Sequence, residues 1–357
     1  NSSESVGTVA SAEVLWESFG THETPQVGDL VREVSYANGD IYFKTASTFR
    51  EGNAIIAARD ASGNILWSWH IWLTDQPQEQ VYYSYTDVMN VMMDRNIGAT
   101  SATPGDVCAL GLLYQWGRKY GQHTEVKLEK LDGPVSLYEG QSEENADKYI
   151  SASGYDWLIN PNDNLWYVET DGVRVKTEYD PCPDGWIVPT MSELSMLISG
   201  LSQIYFYNSD DSNIYLGVGE VQYQTDPLTV SLPGGNYWSS SVSDNYVSLI
   251  STELMMYTSG SQYRGNSFNL RCVKAPEGTA AAKPVTSIMI KASLTLECRE
   301  TATLKAAMSP SDPTHDTIEW SSDNPSIAYV DNTGKVTAKS AGTTVIRATA
   351  GLVSGTC

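Results

Sequence analysis

The sequence predicts an α+β module with a β-rich N-terminal segment, followed by an all-β sandwich. Three observations carry this prediction: period-two apolar runs in the first eighty residues, two short amphipathic helical patterns in the middle, and regularly spaced turn signals after residue 285. A length of 357 residues exceeds one ordinary core and implies two or three domains.

Residues 1–80 read as strands at Ile41 to Thr45, Asn53 to Arg59 and Ile65 to Leu73, the last two joined by Asp60-Ala61-Ser62-Gly63-Asn64 as a hairpin. In the third strand Trp67, Trp69, Ile71 and Leu73 form a wholly apolar face, and Leu66, Ser68, His70 and Trp72 form a mixed one.

In residues 81–275, Ala109, Leu112, Leu113 and Trp116 recur at helical spacing after Pro104-Gly105-Asp106, and Gly117 closes that helix. A second helix begins at Thr190, with Glu193 completing a capping box and Leu194, Leu197, Ile198 and Leu201 forming its stripe. Segregated strands and helices favour α+β over βαβ. Residues 276–284 are a small-residue linker between prolines. From 285 to 357, turns at Ser309–Pro313, Asp323–Pro325 and Asp331–Gly334 separate short strands, with Trp320 as the core tryptophan.

Composition excludes whole classes. Hydrophobic residues make up 41% and charged residues 18%, so the chain folds rather than remaining a solvated acidic coil. Its net charge of −21 repels phosphate backbones and anionic lipid, which argues against nucleic-acid binding. No apolar run approaches the roughly 20 residues of a membrane span, so membrane insertion is not expected. His22, His70, His123 and His315 lie far apart with no metal-binding spacing, and no phosphate-binding loop, dinucleotide fingerprint or nucleophile elbow is present. No enzyme is expected.

Two loops carry chemistry worth weighing. Asn160, Asn162, Asp163 and Asn164 supply oxygens to a hard cation such as calcium, although Asn-Pro-Asn-Asp is also ordinary turn chemistry; no other cofactor is indicated. Tyr205, Phe206 and Tyr207 stand beside Asn208, Asp210, Asp211 and Asn213, a pairing of flat rings and polar groups that suits a sugar. The plain alternative is that these tyrosines are strand residues.

Val285-Thr286-Ser287-Ile288, Ile318-Glu319-Trp320-Ser321-Ser322, Ile327-Ala328-Tyr329-Val330-Asp331 and Gly334-Lys335-Val336-Thr337-Ala338 together resemble the bacterial Ig-like domain, group 2. That resemblance implies a surface spacer or adhesion repeat. It also implies that the domain is cut short at Cys357 before most of its last strand, and that Cys298 can bridge to Cys357. Val91–Ala99, Leu112–Arg118, Pro181–Thr190, Tyr237–Ser241 and Arg271–Lys274 resemble the Fibrobacter succinogenes major paralogous domain, a relative of C-type-lectin-like folds. Ile187 departs from that family, which usually has Arg there. This second resemblance implies a Cys182–Cys272 disulfide, with Cys108 a free, buried thiol, in an exported protein of the cell surface. Such modules with a Trp-rich strand before them occur in pilus-associated proteins of gut Bacteroidetes. The expected function is therefore adhesion at a surface or pilus tip, with a host or microbial glycan or surface protein as partner. The alternative is a structural pilin or stalk component that contacts only other pilin subunits.

Overall fold

The computed structural model describes residues 8–19, 23, 25–83, 89–102, 106–122, 129–151, 156–170, 173–194, 220–221, 230–231, 236–243, 246–251 and 258–357, apart from 277–278, 280–282, 284, 312, 315–316 and 352. Two compact units result, one spanning Val9–Thr279 and the other containing Ala280–Cys357. Strands dominate both.

In the larger unit, Gly52–Arg59 is the centre of an antiparallel sheet between Ser11–Ser18 and Ile65–Leu73. The hairpin forms as its turn predicts, because the Asp60 carboxylate accepts the Ser62 and Asn64 amides at 2.8 and 2.9 Å. Which face points inward is less obvious. Ser68, His70 and Trp72 turn toward the main core, where Ser68 and Tyr120 share a hydroxyl hydrogen bond, His70 Nε2 meets Asn53 Oδ1 at 2.9 Å and Trp72 Nε1 donates to the Ala99 carbonyl at 3.0 Å. The wholly apolar face lies outside. Its Ile71 and Leu73 are covered by a satellite cluster around Phe19, Leu30 and Val31, beneath the hairpin Val31–Ala37 and Asp40–Thr45.

One carboxylate fixes that cover. Glu17, buried in the first strand, accepts the backbone N–H groups of Gly28, Asp29, Leu30 and Val31 at 3.1, 2.9, 3.0 and 2.8 Å. Four donors that would otherwise be stranded as the chain dives into the core are thereby satisfied.

The first expected helix is not there. Only a 3-10 turn, Val107–Ala109, precedes strand Leu113–Gln115, which pairs antiparallel with Ser267–Asn269. The physical reason is that Gly111 (φ +70°) turns the chain so tightly that a Cβ would lie 2.5 Å from the Ile97 carbonyl oxygen. The carbonyls beyond it are claimed by indoles: Trp238 Nε1 reaches Tyr114 O at 2.6 Å, Trp157 reaches Trp116 O at 2.7 Å and Trp166 reaches Arg118 O at 3.3 Å. An α-helix that the periodicity does not announce forms at Leu137–Gln141, capped by Ser136.

At the second expected helix the capping box is formed, with the Thr190 amide on Glu193 Oε2 at 2.6 Å and the Glu193 amide on Thr190 Oγ1 at 3.3 Å. Residues 191–194 are helical and Leu194 is buried against Met92, Ile187 and Val273; Leu197, Ile198 and Leu201 lie outside the described residues. Nearby, Trp186–Ile187 pairs with Val273–Lys274, which pairs in turn with Met89–Met93. A larger sheet places Ser267–Asn269 beside Asn236–Ser243, followed by Tyr246–Ser251 and Thr258–Tyr263.

Cys182 and Cys272 are bonded, with Cα atoms 6.0 Å apart. Both belong to one core that also holds Trp16 and Ile55 of the N-terminal sheet together with Trp116, Trp157, Trp166 and Trp238. Residues 11–73 and the central module therefore bury their apolar surface jointly. Cys108 is free but half-buried, and burial is the main cause raising its thiol.

In the smaller unit, Thr301–Thr303, Lys335–Ala338 and Ala328–Val330 form one sheet; Glu319–Ser322, Ile346–Ala350 and Val353–Thr356 form another. Trp320 packs against both apolar clusters between them. Gly334 (φ +79°) is required, since a Cβ there would stand 2.8 Å from the Trp320 ring. Val353–Thr356 pairs with Ile346–Ala350, and Cys357 and Ile346 exchange both backbone hydrogen bonds at 2.8 and 2.9 Å. One expectation is corrected, the Cys298–Cys357 bridge. Cys298 and Cys357 are free because they serve opposite sheets: the exposed Cys298 thiol donates to the Lys339 carbonyl at 3.5 Å, whereas Cys357 ends the other sheet.

Reducing the Cys182–Cys272 bridge, 90 residues apart, should lower the stability of the larger unit by about 4 kcal/mol in denaturant melts. Glu17→Ala should cost about 3 kcal/mol and lower its melting temperature by roughly 6–12 °C, measured by circular dichroism.

Candidate functional site

The two loops named from sequence fare differently. Tyr205, Phe206, Tyr207, Asn208, Asp210, Asp211 and Asn213 lie outside the described residues. Asn160, Asn162, Asp163 and Asn164 form an exposed turn in which Asn162 Oδ1 accepts the Asn164 amide at 2.9 Å. Two of its oxygens meet a guanidinium. Arg264, buried over the Trp116 ring at 4.8 Å, pairs with the Asp163 carboxylate, donates to the Asn162 carbonyl at 3.1 Å and lies 3.5 Å from Asp156. Burial raises the Asp156 carboxyl. Among the described residues no three His, Cys, Asp or Glu side chains gather closely enough to hold a metal ion.

Other buried cations are likewise consumed by the fold. Arg118 is enclosed by the carbonyls of Gly140, Asn145 and Lys148 at 3.1, 2.7 and 2.7 Å, and burial lowers its guanidinium to about 10. Lys176 donates to the Cys182, Pro183 and Trp186 carbonyls and lies 3.5 Å from Asp180, whose carboxyl burial pushes upward. Each of these groups orders a loop, and sequence offers no local signal for it.

The outer face of the N-terminal sheet differs. Lys119 Nζ sits 3.9 Å over the Trp67 ring and donates to the Ser68 carbonyl at 3.1 Å. Two residues along, on the same face, Trp69 is 37% exposed and its indole has no hydrogen bond or ring contact with the described residues. Of the ten tryptophans it alone is exposed. On the opposite face His70, half-buried and stacked near Trp72 at 6.4 Å, has its ring held by desolvation at about 4, well below the ordinary value.

Residues 284–356 match the family model of the bacterial Ig-like domain (group 2). No curated protein and no solved structure is significantly similar to the chain. The match confines the recognised family to the smaller unit, and no helix among the described residues is long and apolar enough to cross a membrane.

Charge divides along the same line. Seven basic and seven acidic side chains balance within 280–357, so the Ig-like end is neutral and the whole −21 falls on residues 1–279. Fifteen basic side chains stand in that acidic stretch, and the fourteen that are described each have a partner. The exposed Lys44, Arg50 and Lys274 pair with Glu33, Glu23 and Glu79, and the half-buried Arg59 pairs with Glu13.

Since the folded value of His70 lies below its unfolded one, the unfolded chain takes up the proton first as pH falls. Stability is full above about pH 6.5 and declines toward pH 4, by at most about 3 kcal/mol. His70→Gln, which does not titrate, should remove that part of the slope, read as the difference between wild-type and variant urea melts from pH 7 to pH 4.

Proposed function

We propose that the chain is an exported, non-enzymatic surface protein whose larger unit binds a glycan or protein ligand and whose Ig-like domain spaces that unit from its support. The observation that carries this reading is the group 2 Ig-like match at 284–356 on a chain whose larger unit is closed by a buried disulfide. Domains of that family are typical of extracellular proteins, and a disulfide persists in an oxidising compartment. The segments similar to the lectin-like surface domain support a binding role for the larger unit, and Cys182 and Cys272 fall within two of them. A pilus tip is the setting that resemblance favours. The reading requires no cofactor.

The test is a glycan and extracellular-matrix protein array probed with the full chain. Saturable binding to a defined glycan or protein is expected. Binding to nothing on either array would favour a stalk component held only by other subunits.

A further inference from the structure

We propose that Trp69 is the stacking platform for an uncharged sugar ring, bound on the outer face of the N-terminal sheet. The inference rests on the binding-module reading above and names its ligand class and its site.

The first observation is the isolation of that indole. Nine tryptophans are covered, by the core, by a backbone carbonyl or by a cation; Trp69 faces water. It stands on a regular strand in unbroken register, opposite Ile56, and the central strand under this face is closed, with Ala54, Ile56 and Ala58 at most 1% exposed. A rigid sheet that offers one open ring suits the flat apolar face of a pyranose. Trp67 is not equivalent, because Lys119 already covers it.

The second observation is the extent of the exposed apolar surface. Val14, Trp67, Ile71 and Leu73 on the same face are only partly exposed, and the exposed Tyr42, Phe43 and Phe49 lie outside this sheet. A stable protein interface takes about 800 Å² from each partner, far more than one partly exposed indole supplies. One ring matches one sugar.

Charge then restricts the sugar. The surrounding unit, Val9–Thr279, holds 35 acidic and 15 basic side chains, a net −20, so sialylated or sulfated glycans meet net repulsion there. The ligand is uncharged.

The full chain is applied to an array holding neutral, sialylated and sulfated glycans, and the hits are titrated with wild type, Trp69→Ala and Trp69→Phe by isothermal calorimetry. Hits among neutral glycans are expected, weakened at least tenfold in Trp69→Ala and within about threefold of wild type in Trp69→Phe, with both variants folded at the assay temperature by circular dichroism. Wild-type affinity in Trp69→Ala, or hits confined to anionic glycans, would overturn the site while leaving the binding-module reading intact. A protein ligand with no glycan would do the same. Silence on every array overturns both.

Discussion

The run from Leu113 to Arg118, a short strand that turns at Trp116–Gly117, is the constraint on which the larger unit depends. Its alternate carbonyls, at Tyr114, Trp116 and Arg118, each receive an indole N–H from a distant part of the chain, Trp238, Trp157 and Trp166. Between them the Gln115 amide reaches Ile150 and Gly265, and the Trp116 indole donates to Ser239. At the end of the run the Arg118 guanidinium gathers the carbonyls around residues 140–148. A buried backbone must place every polar group, and here remote side chains complete what a sheet ladder alone would leave open. Residues up to 150 apart in sequence are therefore brought into one core by hydrogen bonds as well as by apolar contact.

That same run shows why the sequence misleads at this point. Every residue from Ala109 to Arg118 is buried or nearly so, so the spacing of Ala109, Leu112, Leu113 and Trp116 reports burial on all sides rather than one helical face. By contrast the hairpin from Gly52 to Leu73 and the Thr190–Glu193 box are legible, because alternation, turn and cap are local chemistry. The inward face of Ile65–Leu73 is not. Ser68, His70 and Trp72 point inward because Tyr120, Asn53 and Ala99 await them there, and periodicity does not encode partners so far along the chain.

Site chemistry follows the same division. The Asn160–Asn164 loop reads as oxygen-rich, and the Arg264 guanidinium that pairs with its Asp163 is about a hundred positions away. Trp69 is legible in the sequence only as one member of an apolar stripe; its exposure follows from a hairpin that covers Ile71 and Leu73 and stops short of it. The cysteines divide likewise. Cys182 and Cys272 meet because Trp186–Ile187 and Val273–Lys274 pair beside them, whereas Cys298 and Cys357 are held apart by the two sheets of the Ig-like domain.

The disulfide has a mechanical meaning set by where the chain leaves the larger unit. Cys272 immediately precedes Val273–Lys274, the last strand before the linker. Tension applied from the C-terminal side would have to strip that two-residue strand from both Trp186–Ile187 and Met89–Met93 before it met a covalent stop. The residues enclosed between Cys182 and Cys272 cannot be drawn out. With roughly 3.4 Å of extended length per residue, the bridge withholds about 300 Å of slack that an unlinked chain would surrender under load.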